Sequence, residues 1–167
     1  MVCLTIIQPF ATLLATGIKK IESRPRRWHP RGDGWVGIHA GKSVDYLDLC
    51  AEEPFKSALA KIGIRGPADL PMGAVLGAGK FRRCFTAEEL VGTITDQERA
   101  FGDYSPGRFG YSFEQMLRFR QPIPARGMQG PWPWKPSGIA GHDLKCPCLR
   151  SGAENDCTCA SLRVFLD

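Results

Sequence analysis

Glycine and proline interrupt this chain too often for it to be built from long helices. The 167 residues include 19 Gly and 13 Pro, and each of these favours a turn or ends a regular element. Many short elements are expected, more than a helical bundle would need. With 43% hydrophobic residues, the chain still has enough apolar material for one real core and is not expected to be disordered. The length fits one domain plus an extension.

Alternation and punctuation place the elements. Val2 to Ile7 reads as a short strand. Pro9 suits the first turn of a helix, with Phe10, Leu13 and Leu14 on one face and Gly17 as its stop. Ile18 to Arg24 reads as a charged, extended edge ended by Pro25, and a basic loop follows around Trp28. Gly34 to Ala40 has the β-branched and aromatic content of a strand. Ser43 is expected to cap a helix through Cys50, and a second helix is expected over Phe55 to Ile62. Gly73 to Phe85 reads as a long strand whose glycines suit a barrel corner or a close backbone approach. Thr86 and Glu89 have capping-box spacing. Gly107 to Phe113 alternates as a strand, Glu114 to Arg120 suits a helical turn or a continued strand, and Gln121 to Gly127 is extended by its prolines. Trp132 and Trp134 are read as packing residues that close the barrel.

Short strands interleaved with short helices predict an α+β fold, a small mixed β-barrel with short flanking helices, over residues 1–134. From residue 135 to 167 the chain turns small, polar and cysteine-rich, and is read as a separate tail. No run approaches the roughly 20 apolar residues that span a bilayer. Met1 to Phe10 lacks the pattern of a signal peptide. The expectation is a cytoplasmic location with no membrane partner. The oligomeric state is left open.

Lys and Arg exceed Asp and Glu, for a formal charge of +5, a modest bias toward polyanions. Cys3, Cys50 and Cys84 stand singly and read as buried thiols. Cys146, Cys148, Cys157 and Cys159 form two Cys-x-Cys pairs, with His142 as a spare ligand. Four thiolates suit a structural zinc, although one intervening residue is atypical spacing, and a tail without a fixed role is the competing reading. No other cofactor is required. Gly41-Lys42-Ser43 ends like a phosphate-binding loop, but Val36 stands where that motif needs its first glycine.

Several segments together resemble the ASCH family. Gln8-Pro9-Phe10-Ala11 followed by Gly17-Ile18-Lys19-Lys20-Ile21-Glu22-Ser23-Arg24 resembles its Gly-x-Lys-x-x-Glu-x-Arg signature. His39-Ala40-Gly41-Lys42, Leu70 to Gly77, Phe101 to Phe109 and Pro124 to Gly130 resemble, in the same order, a bacterial and phage branch. The resemblance implies a PUA-like barrel beside a cleft, and a role in binding RNA or a modified nucleotide. It also implies an alternative, since some members hydrolyse N4-acetylcytidine and a ribonuclease activity is ascribed to another. A third reading is a non-catalytic adaptor for a protein partner.

The amidohydrolase members use a Lys, a Thr three residues later and a Glu after the central strands. Lys19 matches the Lys and Glu98 the later Glu, whereas Glu22 stands at the Thr position and cannot supply a hydroxyl. Lys19, Glu22 and Glu98 are therefore the catalytic candidates. On an extended segment Lys20, Glu22 and Arg24 share a side, and Lys19, just after the helix-ending Gly17, is expected to reach the same cleft. Lys20, Arg24, Arg26, Arg27, His39 and Lys42 are the candidate ligand contacts, with Tyr104 and Arg108 from a Gly/Pro loop. Trp28 suits either stacking on a base or covering the barrel. His39 suits either phosphate contact or proton transfer, or else a satisfied, partly buried position.

Overall fold

The computed structural model describes residues 1–135. The elements are β1 (Val2–Ile6), α1 (Phe10–Ala15), β2 (Ile21–Arg24), β3 (Trp35–Ala40), α2 (Phe55–Ala60), β4 (Ala74–Thr86), α3 (Ala87–Val91), α4 (Asp96–Ala100), β5 (Phe109–Pro124) and β6 (Pro131–Pro133), with 3-10 turns at Leu47–Ala51 and Pro67–Asp69. The strands form one six-stranded mixed sheet in the order β2-β5-β4-β3-β1-β6. β1 and β3 run parallel, and the other pairs are antiparallel. The fold class is the small α+β arrangement expected.

The sheet curls strongly. Four strand spacings in a flat sheet would separate β2 from β1 by roughly 19 Å. Yet the Arg24 guanidinium of β2 reaches the Thr5 carbonyl of β1 at 2.6 Å. Curvature enters where β4 slips register against β5, between Val75 and Gly77 and on either side of Phe81. Gly77 permits the close approach, since a Cβ there would stand 2.3 Å from the Leu117 carbonyl oxygen. No ladder joins β2 to β6, so the barrel is not closed among the described residues, and the Arg24 side chain spans part of the gap. β5 also outruns β2, which pairs only with Phe109–Ser112.

Apolar residues fill both sides of the sheet. Leu4, Ile6, Val36, Ile38, Leu76 and Tyr111 meet Leu14 of α1 in the main core. The opposite face carries Cys3 and Val75 under Trp132 and Trp134, which are packing residues as expected. Leu13, Phe55, Leu59 and Phe101 form a third cluster that holds α2 and α4 in place. Cys3, Cys50 and Cys84 are buried free thiols, and burial pushes the Cys3 thiol up to about 12. No helix among the described residues is long and apolar enough to cross a membrane.

Local signals held at most boundaries. The Thr86–Glu89 capping box forms with both reciprocal hydrogen bonds. Pro9 sits at the N-cap of α1 without a side-chain cap, and Gln8 Oε1 accepts from the Thr12 N–H instead, at 3.0 Å. Two expectations change. Ser43 caps no helix: its hydroxyl donates to Asp45 at 2.6 Å, and only the 3-10 turn Leu47–Ala51 forms before Pro54. The ambiguous stretch after Phe113 is strand, because β5 continues without a break to Pro124.

Candidate functional site

The signature segment turns one lysine inward. Gly17, at φ +70°, ends the α1 region, and the Lys19 N–H stays bonded to the Leu13 carbonyl at 3.0 Å. The Lys19 side chain then runs into the protein and is only 1% exposed. Its Nζ donates to the Phe101 carbonyl at 2.7 Å, lies 3.9 Å from Glu98 Oε1 and faces the Tyr104 ring at 5.9 Å. Burial pushes the ammonium below its ordinary value, against the upward pull of the Glu22 and Glu98 carboxylates.

Glu98 is the hub of this knot. Its N–H is held by the Thr95 hydroxyl at the start of α4, at 3.1 Å. Its carboxylate accepts from the backbone N–H of Lys20 at 2.9 Å and of Ile21 at 3.1 Å, and from the Tyr104 hydroxyl at 3.1 Å. Tyr104 is buried, and desolvation followed by the Glu98 charge raises its phenol pKa above the usual range. Each of these groups already has a partner within the protein. The knot fixes where β2 begins and presents no free acid or base to solvent.

β2 carries the charge from the knot to the surface. Alternation puts Glu22 and Arg24 on one side of the strand and Ile21 on the other, where Ile21 packs against Leu90 and Tyr104. Glu22 is 6% exposed and accepts from Arg24 Nε at 2.9 Å. With Nη2 on the Thr5 carbonyl, the guanidinium is clamped at two points, so its rotamer entropy is lost before any ligand arrives.

Beyond Arg24 lies a cleft of about 1470 Å³. Arg24, Arg26, Arg27, Lys42 and Arg126 line it, and no acidic side chain does among the described residues. Arg26, Arg27, Lys42 and Arg126 are exposed. Tyr111 anchors the basic loop by donating its hydroxyl to the Arg26 carbonyl at 2.5 Å, and burial pushes its phenol up to about 12. Trp28 both packs on the core and borders the cleft. It packs edge-on against Phe81 at 6.2 Å and tilted against Tyr111 at 5.9 Å, while also lining the cleft.

His39 forms part of the same wall and is 2% exposed. Its Nε2 lies 3.0 Å from the Ala125 carbonyl. A carbonyl only accepts, so Nε2 carries the hydrogen and Nδ1 is left as an acceptor. Burial lowers the His39 pKa, which keeps the ring neutral, while the Ala125 bond pulls the other way.

The structure therefore divides the expected site residues. Arg24, Arg26, Arg27, Trp28, His39 and Lys42 come together in the cleft. Lys19, Glu98 and Tyr104 form the buried knot beside it, with Glu22 between the two. Lys20 is exposed away from the cleft lining, and Arg108 is tied to Asp103 at 3.2 Å outside it. The expectation that Lys19 opens into the same cleft as Glu22 and Arg24 is corrected, because its amine faces inward to the Phe101 carbonyl. Cys146, Cys148, Cys157, Cys159 and His142 lie outside the described residues. Thr5, Tyr111, Arg126 and Gly127 also line the cleft and were not among the expected contacts. Arg126 and Gly127 lie within one of the resemblance motifs, whereas nothing in the sequence marks Thr5 or Tyr111.

No family model matches the chain, and no curated protein matches it. Among solved structures, the chain is similar to ASCH from Zymomonas mobilis, at 13% identity and a TM-score of 0.45, over 74% of this chain and 72% of that one. Two mutant forms of the same protein match at 14% and 15% identity with TM-scores of 0.45 and 0.46, over 74% of this chain and 74% and 72% of theirs.

Proposed function

We propose that this chain binds RNA or a nucleotide-like ligand in the cationic cleft. The observation that carries this reading is the charge of the lining: five cationic side chains, with no acid among the described residues. Arg24 is paired with Glu22, but the other four have no acidic partner among the described residues, and such clustered cations hold a positive potential and attract phosphates. The Trp28 ring in the same wall offers an aromatic surface for a base or sugar. The resemblance of residues 17–24 to the ASCH signature implies the same ligand class. Lys19 and Glu98, the pair considered for proton transfer, are buried and mutually bonded, so binding is the reading preferred over hydrolysis.

The test is anisotropy of a labelled single-stranded RNA titrated at several salt concentrations. Log affinity should fall linearly with log salt. Replacing Arg26, Lys42 and Arg126 singly by Ala should weaken binding and lower the slope by about 0.7 each, the value for single-stranded phosphate contacts. Thermal midpoints should stay close to the parent's. Absence of binding at low salt, or slopes unchanged in all three variants, overturns the proposal.

A further inference from the structure

The cleft wall is almost uniformly a donor surface. Arg and Lys carry N–H groups and no acceptor, and they supply five of the lining side chains. Thr5, Tyr111 and Gln129 add side-chain oxygens to this lining, but His39 alone contributes a buried acceptor that is left over. With Nε2–H committed to the Ala125 carbonyl at 3.0 Å, Nδ1 is an obligate acceptor, and this buried atom has no hydrogen-bond partner among the described residues. A buried acceptor left unpaired carries a desolvation penalty, relieved when a donor reaches it.

Gly127 lies across that edge of the ring. A Cβ added there would stand 2.4 Å from His39 Cε1, 2.7 Å from Nδ1 and 2.9 Å from Thr5 Oγ1. Gly127 belongs to the run Arg126–Gln129, for which no backbone hydrogen bond to another described residue is formed, and it has no side chain to withdraw from the ring edge.

We propose that His39 is a specificity-determining residue that reads an N–H or O–H donor on the ligand, while the surrounding cations hold its phosphate. This rests on the binding reading above and narrows the ligand: a bare anion satisfies the arginines but leaves Nδ1 unpaired. A nucleotide supplies a donor from two sources, an amino group of the base or the 2′-hydroxyl of the ribose. Both present the same chemistry to an imidazole nitrogen.

The experiment uses the full chain and short oligoadenylate and oligocytidylate, each as RNA, as DNA and as RNA with its amino group dimethylated. One of the two donor-lacking forms should bind roughly ten-fold more weakly than unmodified RNA, a gap typical of losing one hydrogen bond to a buried group. Which form loses affinity identifies the source. His39→Asn, which keeps an acceptor near the Nδ1 position, should preserve the gap. His39→Phe should close it while retaining affinity for the phosphates. Equal binding of all three forms to the parent chain overturns the inference and leaves the binding reading intact, and so does a gap that survives in His39→Phe. Failure of every oligomer to bind removes both readings. The parent series alone decides the matter where a His39 variant does not fold.

Discussion

Two neighbouring groups of charges in this protein behave in opposite ways. In the knot, Lys19, Glu98 and Tyr104 are buried and each is partnered within the protein. In the cleft, Arg26, Arg27, Lys42 and Arg126 face solvent without an acid partner among the described residues. Glu22 and Arg24 join the two groups. Residue type alone does not separate structural charge from functional charge here; partners and burial do. A charge whose hydrogen bonds all end within the protein shapes the fold, whereas one left open shapes what the protein attracts.

The largest expected effect breaks the knot. Glu98→Ala leaves the buried Lys19 ammonium without its nearest counter-charge and the backbone N–H groups of Lys20 and Ile21 without their acceptor, and takes one of two acceptors from the Tyr104 hydroxyl. Removing one partner of a buried ion pair typically costs about 3–5 kcal/mol, to be measured by urea unfolding. A loss under about 1 kcal/mol would mean that the knot is not structural.

Arg24→Ala should be felt on both sides. It strips the buried Glu22 carboxylate of its cation and frees the Thr5 carbonyl, a loss of about 1–3 kcal/mol. It also removes a phosphate contact, so RNA affinity should fall in the same variant. Loss of stability with unchanged affinity would assign Arg24 to the knot alone.

The smallest effect is a pH dependence. Burial holds the folded His39 below its ordinary 6.5, so below that pH the unfolded chain takes up a proton that the folded chain resists. The stability due to neutral His39 is complete above 6.5 and is lost as pH falls from there through the lowered folded value. The slope cannot exceed about 1.4 kcal/mol per pH unit. Urea unfolding at about pH 7.5 and about pH 5.5 should show a drop in the parent that His39→Asn reduces. Equal drops in both would place the titrating group elsewhere.

Much of this was legible in the sequence. Turn chemistry and alternation located β1, β3, β4 and the Thr86 capping box, because those signals are local. The fate of Lys19 was not legible. Its burial depends on α4 bringing Glu98 and the Phe101 carbonyl to it across the chain, and no property of residues 17–24 encodes that meeting. The same holds for Thr5 and Tyr111, which reach the cleft only because the sheet curls. Ser43 misled because its hydroxyl is engaged next door, donating to the Asp45 carboxylate and accepting from the Asp45 N–H, and so accepts from no helix N–H.

The overhang of β5 past β2 has a consequence for the company this protein keeps. From residue 113 to 124 the outer side of that strand has no ladder partner among the described residues, which is the geometry that invites another chain to add a strand. Arg118 and Arg120 stand along this stretch and Pro122 and Pro124 end it. An incoming strand would meet prolines that have no N–H to offer, so the end of this described edge is a poor template for strand addition.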